Sequence, residues 1–461
     1  MQWRHVGWLA IAACLATSAA GQRGAIARAV QDAEARGVRT GVAVCDDDGE
    51  VLYRHRAAEA FTPASNMKLL TAAALLQGLG PDFKFETAFR VSAGELVVEA
   101  GGDPNWIRGE ADDPDKVFAQ LVAALGARGV RSLRGIRLDP GFFTGPDRPS
   151  TWPQDQLYTY YCAPTGAFVL EQGTFVMRIS RSGGRAAAAR LLAPATGYDI
   201  RGTISEVTSR KGATYGAIDA SGAVRVRGKF YRKSPAVEIR TAVNDPARWY
   251  EDALRHALRA GGVRVAAGAG AYEKGVVYRH RSALAPALRR ILEDSSNFDA
   301  EQCLRVLGAE TLEDGSLQGA RAALRAQVVA LLGQEPKGLQ IADGSGLSRE
   351  NRVTPGLLVV AMYELERRGL GGAFSDALPV AGRTGTLRKR FVGSDLVDRV
   401  RAKTGWIRGA SSLSGVVTTA DGARRWFSIL MNYDRTRGGL NKDLKRLQEQ
   451  IVAAAAGARS E

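Results

Sequence analysis

Apolar and polar positions follow one rhythm at the two ends of the chain and another in its middle. Residues 24–36 are rich in alanine and stop at Gly37, which predicts a helix with a glycine stop. Residues 40–45 and 50–55 read as two short strands, and the Asp-Asp-Asp-Gly run between them signals a hairpin. An apolar run over residues 65–76 then predicts a helix that begins at or near Ser65, with Pro63 setting its entry and Gly78 to Pro81 ending it. Over residues 83–279 the texture changes. Short β patterns such as Glu95-Leu96-Val97-Val98-Glu99 and residues 223–230 dominate, with helical stretches near 114–128 and 246–260.

Helical texture returns over residues 286–292, which lead into Glu293-Asp294-Ser295-Ser296-Asn297, and a further helix runs to about Leu307. Residues 401–405 end an extended segment, so that Lys403 is expected at the end of a strand. Residues 411–419 and 424–432 form a hairpin around Asp421-Gly422, and residues 442–456 close the chain as a helix. Terminal helices beside hairpin strands imply an α+β fold: an antiparallel sheet covered by helices, assembled from both ends of the chain. The middle is then an insertion of one or two mostly-β modules. The expected divisions are 1–20, 21–80, 81–274 and 275–461.

Length supports that division, since 461 residues exceed one ordinary core. The formal charge of +15 suits an anionic wall polymer or leaflet, giving an expectation of peripheral membrane or wall association. The basic residues are spread along the chain without aromatic interleaving, which argues against nucleic acid as a partner. Arg4 and His5 precede an apolar run from residue 6 to 16, and Ser18-Ala19-Ala20 offers small residues for cleavage. This is the pattern of a signal peptide, and the run is too short to span a bilayer. Ile11-Ala12-Ala13-Cys14 resembles a lipoprotein box, in which Cys14 would carry lipid, but the apolar stretch continues past it. Export to the periplasm or cell envelope follows.

Cleavage after Ala20 leaves Cys45, Cys162 and Cys303, an odd number without close spacing, which argues against a disulfide framework or a zinc site. Cys45 and Cys303 read as buried small hydrophobes. The four histidines, His5, His55, His256 and His280, show no metal-ligand spacing, and the expected chemistry uses no cofactor.

That chemistry starts at the entry to the apolar helix. A serine hydroxyl needs a base to become a useful nucleophile, and residues three apart on a helix share a face, so Ser65 and Lys68 can touch. The helix N-terminus adds unpaired N–H groups that stabilise an oxyanion. A lysine acting as base must be neutral for part of the cycle, which requires burial or a neighbouring cation, and Lys403 is the candidate cation. Ser-x-x-Lys alone is a weak signal, since serine caps helices and lysine is common. Ser295-Ser296-Asn297 and Lys403-Thr404-Gly405 follow in the order that marks serine β-lactamases and penicillin-binding proteins. In that signature a second serine relays a proton, an asparagine amide holds a peptide carbonyl, and lysine with threonine on an edge strand binds a carboxylate.

With these motifs the chain resembles the low-molecular-mass class C penicillin-binding proteins, the D-alanyl-D-alanine carboxypeptidases/endopeptidases. Ser295 to Glu301 is similar to that family's second motif running into its helix, and Asp343-Gly344-Ser345-Gly346-Leu347-Ser348-Arg349 to its glycine-rich loop. Residues 378–388 resemble the approach to its third motif, and Gly101-Gly102-Asp103-Pro104 a loop of its insertion. The long gap between Lys68 and Ser295 also fits, because serine β-lactamases close that gap more tightly.

The resemblance implies a β-lactamase/transpeptidase-like domain carrying the insertion. It implies that Ser65 attacks the peptide between two D-alanines of a peptidoglycan stem peptide, with Lys68 taking its proton. Ser295 and Asn297 would pass a proton and orient the acyl chain. Lys403 and Thr404 would hold the terminal carboxylate, and the N–H groups of Ser65 and Trp406 would form the oxyanion hole. β-Lactams would trap the acyl-enzyme. Trp406 departs from the family, which usually has threonine after Lys-Thr-Gly. One carboxylate-binding hydroxyl is lost there, which either favours a cross-linked substrate over a free terminal carboxylate or leaves Trp406 as a rim aromatic packing against the insertion. A wall-binding or β-lactam-binding protein with vestigial catalysis, and a β-lactamase, are the alternative readings.

Overall fold

The computed structural model describes residues 6–194, 197–220, 222–268, 270 and 272–457, with side chains from residue 20 onward. Arg4 and His5, the basic part of the expected leader, lie outside the described residues. The chain opens with α1 (Val6–Ala35), β1 (Val38–Cys45), β2 (Val51–His55) and, after a 3₁₀ turn over Ala64–Asn66, α2 (Met67–Gly78). Next come β3 (Lys84–Ser92), β4 (Glu95–Glu99), α3 (Pro114–Ala127), β5 (Ser132–Leu133) and β6 (Gly135–Asp139). They are followed by β7 (Thr174–Ser180), β8 (Ala188–Ala193), β9 (Asp199–Val207), β10 (Tyr215–Ala220), β11 (Ala223–Tyr231) and β12 (Val237–Ala242). α4 (Pro246–Ala260), β13 (Arg264–Val265), β14 (Gly275–Ala283), α5 (Leu284–Leu292), α6 (Asn297–Leu312) and α7 (Leu317–Leu332) continue the chain. It ends with α8 (Pro355–Arg367), α9 (Gly371–Asp376), β15 (Val400–Ile407), β16 (Ala410–Thr418), β17 (Arg424–Tyr433) and α10 (Asn441–Ala455).

Two compact units result. The first takes Met1–Pro81, Leu288–Ser296 and Leu324–Glu461, the second Asp82–Ala287 and Asn297–Ala323. The boundary expected near 275 therefore falls later, and a further piece of chain joins the second unit. The cause is pairing and side-chain bonding. β14 pairs along its length with β3, which ties residues 275–283 to the inserted sheet. In α6, Gln302 Nε2 donates to Gly102 O at 2.7 Å and Arg305 Nη2 to Thr144 O at 2.9 Å, which ties that helix to the same unit.

The first unit is built on a five-stranded antiparallel sheet of order β15-β16-β17-β1-β2, with strands from both ends of the chain. Strand side chains alternate between faces. On one face Val42 and Val44, Phe427 and Ile429, and Leu413 pack with Ile26 and Val30 of α1 and Leu447 and Ile451 of α10. The opposite face is where α8 lies, since a Cβ on Gly41 of β1 would sit 2.9 Å from Pro355 and Trp426 of β17 stacks edge-on to Tyr363. α8 starts cleanly because the Thr354 hydroxyl caps Leu357 N at 3.0 Å and Pro355 occupies a position that needs no donor.

The second unit has two cores. One joins Phe89, Leu96 and Val98 of a sheet of order β14-β3-β4-β6 to Phe118, Leu121, Tyr250 and Leu254 of α3 and α4. The other gathers Phe175, Met177, Val224, Phe230 and Trp249 between the three-stranded sheets β12-β7-β8 and β10-β11-β9. Cys45, Cys162 and Cys303 are all buried, and burial pushes the Cys45 thiol up to about 12, so it is inert as a nucleophile.

Candidate active site

Helix α2 explains itself from its composition. Met67, Leu69, Leu70, Ala72, Ala73, Ala74, Leu75 and Leu76 are good helix formers, and every residue from Met67 to Leu76 is buried. A helix apolar all round belongs in a core. Lys68 is thus a cation on the one kind of helix that cannot solvate it, and it is wholly buried. Burying an ammonium is costly unless it is hydrogen-bonded. Lys68 Nζ donates to the Ser345 carbonyl oxygen at 2.6 Å and to Ser65 Oγ at 3.3 Å. Ser65 itself is half-buried, in the 3₁₀ turn ahead of α2, and Ala64 before it is held in the left-handed region at φ +48°. Backbone strain of this kind persists where surrounding contacts over-determine it.

Those contacts are visible. Ser412 Oγ donates to Pro63 O at 2.7 Å, and Asn66 Nδ2 to Ser414 Oγ at 2.6 Å, which bonds in turn to Ser428 Oγ at 2.9 Å. Asp343 organises the loop that presents Ser345. Its carboxylate accepts from Gly346 N at 2.7 Å, Asn351 Nδ2 at 2.6 Å and Ser348 N at 2.6 Å. Thr71 Oγ1 donates to Gly344 O at 2.7 Å, tying the same loop to α2. Gly346 is required, since its φ is +79° and a Cβ there would collide with the Ala64 carbonyl.

Strand β15 supplies the second cation. Lys403 lies mid-strand rather than at its end, because pairing continues through Trp406↔Ser411 and Ile407↔Ala410 into a hairpin turn at Gly409. Lys403 pairs across from Ser414 and Gly405 from Ser412, so these positions share the face that Asn66 and Pro63 meet. A Cβ on Gly405 would collide with Ser412 Oγ and stand 3.0 Å from Ser65 N, so only glycine lets β15 approach the nucleophile's amide. Lys403 is wholly buried and donates to Thr404 O at 2.9 Å. Burial first, and then the charge of Lys68, hold its ammonium well below the ordinary lysine range, while Asp294 opposes the shift.

The remaining expected residues stand as follows. Ser295 is half-buried in the loop after α5, in left-handed backbone at φ +64°, next to the Asp294 whose charge reaches Lys403. Asn297 begins α6 in the second unit and donates from Nδ2 to Tyr161 O at 2.9 Å. Thr404 and Trp406 share the other side of the edge strand, and Trp406 is 55% exposed. Ser345, Ser412 and Ser414 were not singled out as site residues from sequence. Ser412 and Ser414 carried a signal all the same: they are polar residues in a strand otherwise patterned for complete burial, where each hydroxyl needs a partner.

The sequence profile of the D-Ala-D-Ala carboxypeptidase 3 (S13) family matches residues 22–456. The chain belongs to that family. It is a serine-type hydrolase of the D-alanyl-D-alanine carboxypeptidase class. The peptidase is 29% identical over 435 residues to a D-alanyl-D-alanine carboxypeptidase of Actinomadura sp. (strain R39), covering 87% of this chain and 79% of that one. It is 25% identical over 405 residues to the carboxypeptidase DacB of Haemophilus influenzae, with 83% and 82% covered. The crystal structure of penicillin binding protein 4 (dacB) from Haemophilus influenzae matches its fold at a TM-score of 0.78 and 22% identity, covering 94% of this chain and 99% of that one. The same protein has also been solved in complex with a β-lactam.

The peptidase's buried Lys403 makes a pH-dependent prediction. The unfolded chain keeps this proton up to the ordinary value of 10.5, whereas the folded chain releases it earlier. Folding stability from this group therefore rises with pH across that interval. Lys403→Met is expected to raise the melting temperature at pH 7, by an amount that shrinks as pH approaches 10.5. Thermal unfolding of both proteins between pH 7 and 10 checks this, and a pH-independent difference would contradict it.

Proposed function

We propose that Ser65 is the nucleophile and Lys68 its general base in cleavage of peptidoglycan stem peptides. The observation that carries this is Lys68 Nζ at 3.3 Å from Ser65 Oγ, on a wholly buried helix and close enough to Lys403 for its charge to perturb that buried ammonium. Ser65 Oγ attacks the carbonyl carbon between two D-alanines and its proton passes to the Lys68 amine. The terminal D-alanine leaves as the amine, taking a proton through Ser295. Water then hydrolyses the ester. The oxyanion is held by the N–H groups of Ser65 and Trp406, a reading supported by the close approach of Gly405 to Ser65 N. Lys403 and Thr404 receive the substrate carboxylate. Asn297 orients the acyl chain, a role that rests on its place in the second motif.

Mass spectrometry of the intact protein with and without penicillin tests the reading. The expected result is one adduct, on Ser65. An unmodified chain would overturn it. The same spectrum tests export. The leader of residues 1–20, cleaved after Ala20, would deliver the peptidase to the periplasm or cell envelope, in keeping with a family match that begins at residue 22. Lipid on Cys14 would give a heavier species. No helix among the described residues is long and apolar enough to cross a membrane.

Trp406 tilts the balance towards cross-linked substrate. It lies beside Thr404 on the edge strand, where a hydroxyl would otherwise meet a free carboxylate. Trp406→Thr is expected to raise D-alanine release from a free pentapeptide by several-fold while leaving cleavage of a cross-linked dimer nearly unchanged. An unchanged or lower pentapeptide rate, read by D-alanine assay, would show that the tryptophan does not limit carboxylate binding.

A further inference from the structure

The second unit carries a basic cleft whose residues take no part in the proposed reaction. After α4, Gly262 at φ +77° turns the chain through Val263 into β13, which pairs in parallel with β5. Beside this turn lies a cleft of about 340 Å³, lined by Arg255, Arg259 and Arg264 with Gly262, Val263 and Val265. That volume is within the range of small-ligand clefts, roughly 300–1,000 Å³. Among the described residues no aspartate or glutamate lines it.

The nearest acidic groups do not cancel this charge. Residues 116–134 and 253–270, which include the last turns of α3 and α4 and both short strands, hold six arginines and no aspartate or glutamate. Glu251, one turn back on α4, accepts from Arg255 Nε at 2.8 Å, and Asp252 lies 3.7 Å from Arg248. Leu96 and Val98 of β4 and Ile136 and Leu138 of β6 face the helices. Strand alternation therefore puts Glu95, Glu99 and Asp139 on the far side of that sheet, where Arg137 and Arg90 meet them. Glu273 accepts from Ala93 N at the β3–β4 turn. Arg259 and Arg264 are exposed, and neither has an ion pair among the described residues. The helix end does not need them, since the carbonyls of Ala257, Leu258 and Arg259 already accept from Gly261, Val263 and Gly262. With Glu251 and the helix's negative pole of about half a charge set against three guanidiniums, the cleft keeps a net charge of roughly +1.5.

We propose that this cleft binds a phosphodiester group of an anionic, non-nucleic polymer, and so holds the peptidase to that polymer through its inserted unit. Guanidinium forks match phosphate oxygens and keep their charge at any physiological pH. The tetrahedral phosphorus lets its two charged oxygens face different arginines, where a planar carboxylate turns both towards one. Arg131 is exposed beside the cleft, its carbonyl accepting from Arg264 N at 3.1 Å, and it offers a contact to the next phosphate of a repeating chain. A polymer fits better than a bilayer, because neither basic stretch exposes a large hydrophobic side chain with which to enter a headgroup layer. Nucleic acid fits less well, because Phe118, the one aromatic residue in the two stretches, is buried in the core and gives a base nothing to stack on.

The test uses the full chain and a fluorescein-labelled synthetic oligomer of glycerol phosphate, read by fluorescence anisotropy at physiological salt. Saturable binding is expected, weakened about tenfold or more by R259E/R264E, because each lost phosphate contact also forfeits counterion release. R225E/R227E makes the same change of charge at exposed positions on β11 and should weaken binding only about twofold, through the general field. R259Q/R264Q, which removes the cations without adding repulsion, should weaken binding in the same direction. Unchanged thermal unfolding and retained penicillin labelling report that the variants are folded, and the labelling tests the Ser65 reading separately. No saturable binding, an equal loss in R225E/R227E, or equal binding of an oligoglutamate of matched charge would overturn the proposal. Tighter binding of a single-stranded oligodeoxynucleotide of matched charge would do so too. So would binding to phosphatidylglycerol vesicles that R259E/R264E abolishes, since the cleft would then serve a membrane surface.

Discussion

Ser65→Ala is expected to take no penicillin at all, with an intact mass unchanged after prolonged incubation, and to lose D-alanine release by more than a thousandfold. On the proposed mechanism the covalent step needs the Ser65 oxygen, and the nearby Ser412 and Ser414 hydroxyls are engaged elsewhere. Ser412 Oγ is bonded to Pro63 O and Ser414 Oγ to Ser428. Residual turnover would come from oxyanion stabilisation and binding alone, which in serine hydrolases lies orders of magnitude below the intact machinery. The fold should survive, because Ser65 is only half-buried and the alanine removes one hydroxyl that accepts a 3.3 Å bond from Lys68. A stability change within about 1 kcal/mol is the expectation for such a loss. Wild-type acylation in the variant, or its failure to fold, would remove Ser65 from the centre of the reaction.

Lys68→Met should be nearly as severe for acylation and opposite in kind. Removing a positioned general base costs about 10²- to 10⁴-fold. Lys68→Arg should not restore the rate, since a guanidinium keeps its proton. The methionine also removes the like charge that, after burial, depresses the Lys403 ammonium. Lys403 should then titrate higher, and NMR of an isotopically labelled lysine amine reads that shift directly. A variant that acylates slowly but leaves the Lys403 titration unmoved would show that the two cations do not share one electrostatic environment. Rescue by arginine would mean that Lys68 acts only through its charge.

These expectations rest on features of unequal legibility. The helix after Ser65 was readable because its apolar residues are contiguous and Pro63 and Gly78 bracket it. The β1–β2 hairpin was readable from its turn, and the antiparallel sheet from strands at both ends of the chain. The extent of β15 was not, because the signal for its continuation is pairing with β16 across Gly409, and nothing in residues 401–405 distinguishes a strand end from a strand middle. The extent of the inserted unit is hidden for the same reason. β14 looks like the start of a new segment in sequence, yet its partner β3 lies nearly 200 residues earlier.

By itself the sequence determined which chemical groups the peptidase has and in what order: a serine three residues before a lysine at a helix entry, then Ser295 and Asn297, then Lys403-Thr404-Gly405. Spacing within one helix turn is local geometry, so Ser65 and Lys68 could be paired without coordinates. Only the tertiary structure decided what those groups experience. The carbonyl that holds Lys68 belongs to Ser345, 277 residues away, and the hydroxyl that holds Asn66 to Ser414, 348 residues away. The burial that drives the Lys403 ammonium down comes from the surrounding packing. Desolvation depends on what surrounds a group in space, and no local pattern of residues encodes it.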